Sequence, residues 1–181
     1  ATNLKVQYDI VNIEKSFGAF EEELAPLFEG KNRDITEENI QARIRAIPLM
    51  AVSNKFGCIL LNTSNKSEAA VGYGTLYGDM AGGISVIGDV YKTDVYHLAE
   101  YINLTREIIP KNTLTKMPSA ELKPGQLDTD SLPDYGILDS ILYKYIELQK
   151  PSESIITEGS DPDTVLKVIK MINMNEYKRY Q

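Results

Sequence analysis

Residues 57–92 read GCILLNTSNKSEAAVGYGTLYGDMAGGISVIGDVYK, and this stretch decides the fold class. It begins with an almost unbroken apolar run, GCILLN, which is typical of a strand covered on both faces in a parallel sheet. A polar turn follows, and then Ser67-Glu68-Ala69-Ala70 predicts the start of a helix. A helix, a buried strand and a polar turn in this order indicate an α/β fold with a parallel sheet.

The flanking sequence predicts further elements of both kinds. Alternating apolar residues predict a strand over 4–13, and apolar residues at helical spacing predict a helix over 15–28. Thr36 is a candidate cap for a second helix, in which Pro48 predicts a kink or a break. Three more helices are expected, from Thr93 or Asp94 to about Asn103, over 134–148 and from Pro162 into a basic end, while 110–133 is expected to be a long loop.

Composition excludes several classes of function. The 181 residues, 43% of them hydrophobic, suffice for one domain with a core. A net charge of −7 argues against nucleic acid as a partner, since nucleic-acid-binding surfaces are usually basic. The single cysteine, Cys58, rules out an internal disulfide and a cysteine-based zinc site, and it fits a reducing compartment such as the cytoplasm. No apolar run approaches the ~18 residues of a membrane span, so no membrane partner is expected.

The polar, glycine-rich residues after the predicted strand are where a ligand is expected. Ligands of open α/β sheets bind beyond the carboxyl ends of strands, where Thr63 and Ser64 offer hydroxyl groups. The exposed N–H groups of a helix start suit phosphate, and Lys66 and Lys92 are candidate phosphate partners. Glu68 is a candidate ligand for Mg²⁺ or for a ribose hydroxyl. Because such a loop is often a plain turn, composition alone supports only an α/β domain with a nucleotide-like loop.

Four ordered motifs carry a family resemblance. They are NIQARIR at 39–45, NTSNKSEAAVGYGTLYGDMAGG followed by IGDVYKTDVYHLAEYIN within 62–103, PSAELKPGQLDTDSLPDYGILDSILYKYIE at 118–147, and YKRYQ at 177–181. Together they closely resemble the synthetase domain of NAD⁺ synthetases, most nearly the long, glutamine-dependent enzymes. The resemblance covers about residues 4–181 and implies a parallel-sheet, Rossmann-like fold of the adenine nucleotide alpha hydrolase type.

The resemblance also implies a reaction. Enzymes of this family make NAD⁺ from deamido-NAD⁺ (nicotinic acid adenine dinucleotide), ATP and ammonia, and the long enzymes obtain the ammonia from glutamine. ATP first adenylates the nicotinate carboxylate with release of pyrophosphate, and ammonia then displaces AMP. ATP and Mg²⁺ are the implied substrate and metal, with no tightly bound organic cofactor. No histidine or cysteine nucleophile is needed, so His97 and Cys58 are expected to be structural.

Individual residues match positions to which the family assigns a role. The implied ATP contacts are Thr63, Lys92 and Ser119. The implied deamido-NAD⁺ contacts are Asn39, Arg43, Glu68, Tyr73, Gly74, Thr75, Leu76 and Lys178. Glu68 matches a glutamate that is assigned to Mg²⁺ in some branches and to the dinucleotide in others, so both roles stay open.

The chain departs from the family pattern in one respect. The family's ATP pyrophosphatase loop, Ser-Gly-Gly-x-Asp-Ser, is absent, and the double glycine Gly82-Gly83 is followed by Ile84-Ser85. In the family this loop precedes the segment that matches 4–13, and a glutaminase domain lies further upstream. Since the first residue is also not Met, residues 1–181 are expected to be the C-terminal portion of a synthetase domain truncated at its N-terminal side.

Three further expectations follow from that interpretation. The 181 residues alone are expected to be inactive, because part of the ATP site is missing. The whole protein is expected to contain the glutaminase domain and to form a homodimer or a higher homo-oligomer. The alternatives are a non-catalytic dinucleotide-binding or assembly module, and a related ATP pyrophosphatase such as an amidating or thiolating ligase.

Overall fold

The computed structural model describes residues 1–179, and Tyr180 and Gln181, the last two residues of the YKRYQ motif, lie outside the described residues. The helices are α1 (Glu14–Leu24), α2 (Ile35–Phe56), α3 (Lys66–Val71), α4 (Lys92–Ile102), α5 (Lys111–Thr115), α6 (Tyr135–Leu142), α7 (Ser152–Thr157) and α8 (Pro162–Met174). The strands are β1 (Leu61–Asn62) and β2 (Ile84–Ser85). Tighter 3-10 turns lie at Thr2–Leu4, Asp128–Asp130 and Glu176–Arg179, and a π turn lies at Tyr143–Glu147.

The chain divides into two compact units. The first unit comprises Ala1–Thr63, Gly74–Val86 and Glu121–Gly125. The second comprises Ser64–Tyr73, Ile87–Ala120 and the residues from Gln126 onward. No helix among residues 1–179 is both long enough and apolar enough to cross a membrane.

Helix α2 begins at a capping box in the first unit. The Asp34 carboxylate accepts the N–H of Thr36 at 2.8 Å, and the Glu37 carboxylate accepts the N–H of Asp34 at 2.8 Å. The prediction that Thr36 caps this helix is therefore wrong, because Thr36 supplies a donor and Asp34 the acceptor. The helix continues through Pro48 to Phe56, so the predicted break is not found, and the alternative of a kink at Pro48 stays a prediction.

The two strands pair in parallel within the first unit. Leu61 lies opposite Ile84, and Asn62 opposite Ser85. This pairing agrees with the predicted parallel sheet, but the first strand is shorter than GCILLN. The expectation of burial on both faces is wrong, since Ile59 and Leu61 are 65% and 52% exposed while Asn62 is buried.

The N-terminal segment differs from its predicted form. Residues 4–13 form no strand, and Leu4, Val6, Tyr8 and Ile10 are each more than half exposed. Alternation of apolar residues defines one face of a strand, but a strand also needs a neighbour for its backbone hydrogen bonds, and no described strand pairs with this segment. The helix predicted next, over 15–28, is confirmed as α1 for Glu14–Leu24, while residues 25–28 form turns.

Helix α6 forms the centre of the core of the second unit. Its residues Leu138, Ile141 and Leu142 are almost fully buried, as spacings of three and four residues on one helical face require. The remaining core residues come from α3, α7, α8, the start of α6 and the segment just before α6, and they are Ala70, Val71, Leu132, Tyr135, Ile155, Val165, Val168 and Ile172.

Three of the helices predicted for the second unit are confirmed. Helix α4 occupies the segment predicted from Thr93 or Asp94, α6 with its π turn occupies 134–148, and α8 begins at Pro162 after the cap residue Asp161. The expected loop over 110–133 contains the short helix α5 and a 3-10 turn. Helix α7 has six residues, too few for a periodic apolar pattern to predict it.

Candidate functional site

The residues assigned by resemblance divide between the two units. The first unit contains Asn39, Arg43, Thr63, Gly74, Thr75 and Leu76. The second unit contains Glu68, Tyr73, Lys92, Ser119 and Lys178.

In the first unit, one turn of α2 contacts the glycine-rich loop. The hydroxyl of Thr75 donates to the side-chain oxygen of Asn39 at 2.8 Å, and the N–H of Thr75 donates to the Asp79 carboxylate at 2.8 Å. One turn further along α2, the Arg43 Nε donates to the backbone oxygen of Leu76 at 3.1 Å. Positions four apart lie on one face of a helix, so Asn39 and Arg43 together fix the loop that the sequence motif assigned to the dinucleotide.

Glycine at position 74 allows this loop to pack closely on itself. A Cβ on Gly74 would lie 2.8 Å from the Met80 Cγ and 3.1 Å from the Asp79 carboxylate. Thr75 beside it is 7% exposed, and its hydroxyl is bonded to Asn39 rather than to solvent. Thr63 follows β1 directly and is exposed, which leaves its hydroxyl open to a ligand beyond the end of the strand.

In the second unit, helix α3 begins at a capping box that includes Glu68. The Asn65 side chain accepts the N–H of Glu68 at 3.0 Å, and Glu68 Oε2 accepts the N–H of Asn65 at 3.2 Å. The other oxygen, Oε1, lies 3.3 Å from the Lys92 Nζ. Both oxygens of Glu68 therefore have partners, and each keeps a further lone pair with which it could accept another ligand.

Lys92 is the first residue of α4 and sits between a carboxylate and an aromatic ring. Its Nζ lies 3.3 Å from Glu68 Oε1 and 5.3 Å from the centre of the Tyr135 ring. The side chains of Lys92 and Glu68 are only 20% and 19% exposed. A partly desolvated ammonium next to a carboxylate is the charge pattern that a phosphate with its metal ion requires.

A buried carboxylate that sequence reasoning missed lies beside this pair. Asp128 is 4% exposed and accepts hydrogen bonds from the Tyr73 hydroxyl at 3.1 Å and the Tyr135 hydroxyl at 2.7 Å. Burial, together with the hydrogen bond to Asp128, raises the pKa of the Tyr135 hydroxyl far above its ordinary value. Tyr135 thus stays neutral and holds its ring under Lys92. Tyr73, assigned to the dinucleotide, uses its hydroxyl inside the protein.

Lys178 lies at the opposite end of α3. Its Nζ donates to the backbone oxygen of Gly72 at 2.8 Å, while Asn175 and Arg179 donate to the oxygens of Val71 and Ala70. The last helical carbonyls lack partners within a helix, so these side chains cap α3.

Ser119, assigned to ATP by the resemblance, is partly buried in the second unit.

Lys66, a candidate phosphate partner, is neutralised by carboxylates. Its Nζ lies 2.6 Å from Asp89 and 2.5 Å from Glu147, and 5.1 Å from the centre of the Tyr91 ring. Burial opposes the charged form of Lys66, but hydrogen bonds to Asp89 and Glu147 outweigh it and raise the pKa of the ammonium above its ordinary value. Lys66 is therefore paired with two carboxylates, and its role as a phosphate partner stays a prediction.

Side chains of the described residues do not form a complete metal site by themselves. Among residues 1–179, no group of three or more histidine, cysteine, aspartate or glutamate side chains could hold a metal ion. Glu68 could contribute one ligand to Mg²⁺, which commonly takes one or two carboxylates and completes its shell with phosphate and water oxygens. Cys58 and His97 are both exposed, and the expectation that they are structural stays a prediction.

Comparison with known proteins gives consistent matches over the whole chain. A family model described as NAD synthase matches residues 1–181. The glutamine-dependent NAD(+) synthetase of Thermotoga maritima is 54% identical over 183 residues, covering 100% of this chain and 32% of that protein. This chain therefore spans about a third of the length of the curated relatives it matches.

Solved structures agree with that match. The glutamine-dependent NAD+ synthetase from Acinetobacter baumannii, in complex with adenosine diphosphate, is 44% identical with a TM-score of 0.62, covering 98% of this chain and 32% of that one. The NMN synthetase from Francisella tularensis is 24% identical with a TM-score of 0.79, covering 98% of this chain and 66% of that one, and it supports the fold alone. The expected adenine nucleotide alpha hydrolase fold is confirmed.

Proposed function

Because the chain belongs to the NAD synthase family, we propose that it is the C-terminal portion of the synthetase domain of a longer, glutamine-dependent NAD⁺ synthetase. The motifs occur in family order along the whole chain, and the chain covers 32% of the relative from Thermotoga maritima. The longer polypeptide that contains these residues is called the parent protein below.

The proposed reaction is the ATP-dependent amidation of deamido-NAD⁺. The observation that carries it is the Glu68–Lys92 pair, in which a carboxylate and an ammonium lie 3.3 Å apart at the starts of two helices. Lys92 would neutralise ATP phosphates, with Thr63 and Ser119 as further ATP contacts. Glu68 would hold Mg²⁺, which when bound neutralises phosphate charge during attack of the nicotinate carboxylate. A role of Glu68 toward the dinucleotide remains the alternative.

The proposed site for deamido-NAD⁺ uses the loop fixed by α2. Asn39 and Arg43 hold Thr75 and Leu76, so this loop needs no further ordering when a ligand arrives. Gly74 has no side chain, so a ligand could approach the backbone of the loop closely at this position. Tyr73 and Lys178, which belong to the second unit, are proposed as dinucleotide contacts on the resemblance alone.

Partners of the parent protein are proposed on the same basis. Ammonia would come from glutamine through an upstream glutaminase domain, as the names of the relatives indicate. We propose a homo-oligomer in the cytoplasm, where the exposed, unpaired thiol of Cys58 stays reduced.

The alternative function, a non-catalytic module that binds the dinucleotide, is favoured by one feature of the sequence. The 181 residues contain no Ser-Gly-Gly-x-Asp-Ser run, so they lack the loop that would hold pyrophosphate. A non-catalytic module that binds the dinucleotide would share every contact described above. The two functions differ in whether any protein that contains this chain forms NAD⁺.

The test compares the parent protein with the 181-residue chain. Each is supplied with deamido-NAD⁺, ATP, Mg²⁺ and either ammonia or glutamine, and NAD⁺ is measured by chromatography. The proposal predicts NAD⁺ from the parent protein with both nitrogen sources and none from the chain alone. Calorimetric binding of deamido-NAD⁺ with no NAD⁺ from either protein would favour the binding module, and NAD⁺ formed by the chain alone would contradict the missing-loop argument.

A further inference from the structure

Helix α4 begins without a side-chain cap from its own sequence. The residue before it, Tyr91, makes no capping hydrogen bond, so the N–H groups of Lys92 and Thr93 need acceptors from elsewhere. The Ser67 hydroxyl oxygen accepts the N–H of Lys92 at 2.9 Å, and Asp139 Oδ2 accepts the N–H of Thr93 at 2.9 Å. Because the Ser67 hydroxyl in turn donates to Asp139 Oδ1, one carboxylate fixes both N–H groups.

Packing alone does not explain an aspartate at position 139. Asp139 is 6% exposed on the buried face of α6, next to Leu138 and near Leu142. A buried carboxylate is unfavourable unless hydrogen bonds and positive charge compensate for lost hydration, and an apolar residue would fill the space at lower cost. The compensation comes from Ser67, from the N–H of Thr93 and from the positive end of the α4 dipole.

The helices that hold the backbone of Lys92 also hold its side chain. Helix α3 directs Ser67 to the N–H of Lys92 and the next residue, Glu68, to its Nζ. Helix α6 directs Asp139 to the start of α4 and Tyr135, one turn earlier, to the Nζ of Lys92. Helices α3 and α6 therefore contact both the backbone at Lys92 and the Nζ of its side chain.

We propose that Asp139, acting through Ser67, is a positioning residue that directs Lys92 toward the phosphate groups of the nucleotide. This inference rests on the proposed function, in which Lys92 contacts ATP. Asp139 does not touch the ligand; it fixes the first two residues of α4, from which the flexible four-carbon stem of Lys92 extends. A backbone displacement of about 1 Å there would misplace the ammonium, and errors of that size cost up to about a hundredfold in rate.

The test replaces the carboxylate and keeps its shape. In the parent protein, Asp139→Asn retains the size of the side chain but removes its charge, and its amide NH₂ replaces one of the two oxygens that accept from Ser67 and Thr93. The KM for ATP is expected to rise about tenfold or more, as the loss of one charge-assisted hydrogen bond implies. The KM for deamido-NAD⁺ should change little, and Ser67→Ala should give the same pattern.

The control separates positioning from loss of stability. Ile141→Val removes a methylene from the same helix at a residue that is 1% exposed and makes no polar contact, so it should lower the unfolding midpoint without raising the KM for ATP. In a Lys92→Met background, Asp139→Asn should add no further increase in the KM for ATP, because it acts through that lysine. An unchanged KM for ATP in Asp139→Asn, or an equal rise in Ile141→Val, would overturn the inference.

Backbone amide hydrogen exchange tests the positioning role of Asp139 independently of the proposed function. A wild-type parent protein that forms no NAD⁺ would refute the proposed function. The positioning role would then be tested only by the exchange rates of the Lys92 and Thr93 amides. Faster exchange of these two amides in Asp139→Asn, beyond that in Ile141→Val, supports the positioning role. Equal exchange in the two variants overturns it.

Discussion

Replacement of Gly72 by alanine should destabilise the second unit strongly, because that glycine ends α3 against another side chain. Gly72 has a φ of +66°, in the left-handed region that favours glycine. A Cβ there would lie 2.2 Å from the Asn175 Cβ and 2.6 Å from its Cγ. Both contacts are far inside van der Waals distance, so Asn175 would have to move.

The cost can be assembled from the contacts that are lost. A left-handed L-residue costs about 1–2 kcal/mol. Asn175 Nδ2 donates to the oxygens of Val71 and Met171, each at 3.0 Å, and moving it away loses both bonds at about 0.5–1.5 kcal/mol each. The expected loss in the free energy of unfolding is therefore about 2–5 kcal/mol. Lys178, bound to the oxygen of Gly72, would be displaced as well.

Urea unfolding followed by circular dichroism measures this loss, with two glycine-to-alanine controls. Gly57 has nearly the same backbone conformation, φ 64° and ψ 32° against φ 66° and ψ 30° at Gly72, but nothing lies within 4 Å of its Cβ position. Gly159, in the second unit, also has a positive φ and open space. The controls should lose only about 1–2 kcal/mol of strain energy. Equal losses in all three variants would refute the reasoning.

Three further changes test contacts in the first and second units. Asp34→Ala should lower the free energy of unfolding by about 1 kcal/mol in urea titrations, because α2 loses its cap. Thr75→Val should cost about 1–3 kcal/mol in the same assay, since it leaves the Asn39 oxygen without its donor, and it should weaken calorimetric binding of deamido-NAD⁺. The hydrogen bond from Lys66 lowers the pKa of Glu147 below its ordinary value of 4.5, so this pair stabilises the fold at neutral pH and the stabilisation is lost as the pH falls through the lowered pKa. Glu147→Gln should therefore reduce the acid dependence of the unfolding midpoint below pH 4.5.

Each of these changes has a matched control. Asp34→Asn and Thr75→Ser keep a side-chain oxygen in place and should retain most of the stability that the first variants lose. Glu153→Gln, at an exposed glutamate of α7, should leave the acid dependence unchanged. Equal losses in Asp34→Ala and Asp34→Asn, or in Thr75→Val and Thr75→Ser, would contradict the assigned hydrogen bonds. The same acid dependence in Glu147→Gln and the wild type would contradict the Lys66 contact.

Local patterns predicted the helices better than they predicted the strands. The apolar spacing of α6 and α8 specifies a buried face without reference to the rest of the chain, and both helices were predicted. Residues 4–13 have an equally regular alternation, but strand pairing depends on a neighbour that the pattern does not identify. At α2, two residues with capping side chains, Asp34 and Thr36, stand two apart, and only the backbone geometry shows that Asp34 is the acceptor.

Parts of the candidate site were predictable for the same reason. Asn39 and Arg43 stand one turn apart on α2, and Asn65 and Glu68, three positions apart, form a capping box, so sequence spacing places each pair. The partners of Asp139 are not local, since Ser67 lies 72 residues away along the chain. The sequence signals for Asp139 are its place in the motif at 118–147 and its charge among the apolar positions of α6.

The rate of NAD⁺ and AMP formation by the parent protein as a function of ATP, with and without Lys92→Met, tests the central claim most directly. The wild-type protein should form the two products in equal amounts, because ammonia displaces AMP from the adenylate. Lys92→Met should raise the KM for ATP about tenfold or more, while Lys170→Met, at an exposed lysine of α8, should not change it. ADP in place of AMP, or equal KM values for ATP in the wild type and Lys92→Met, would contradict the account.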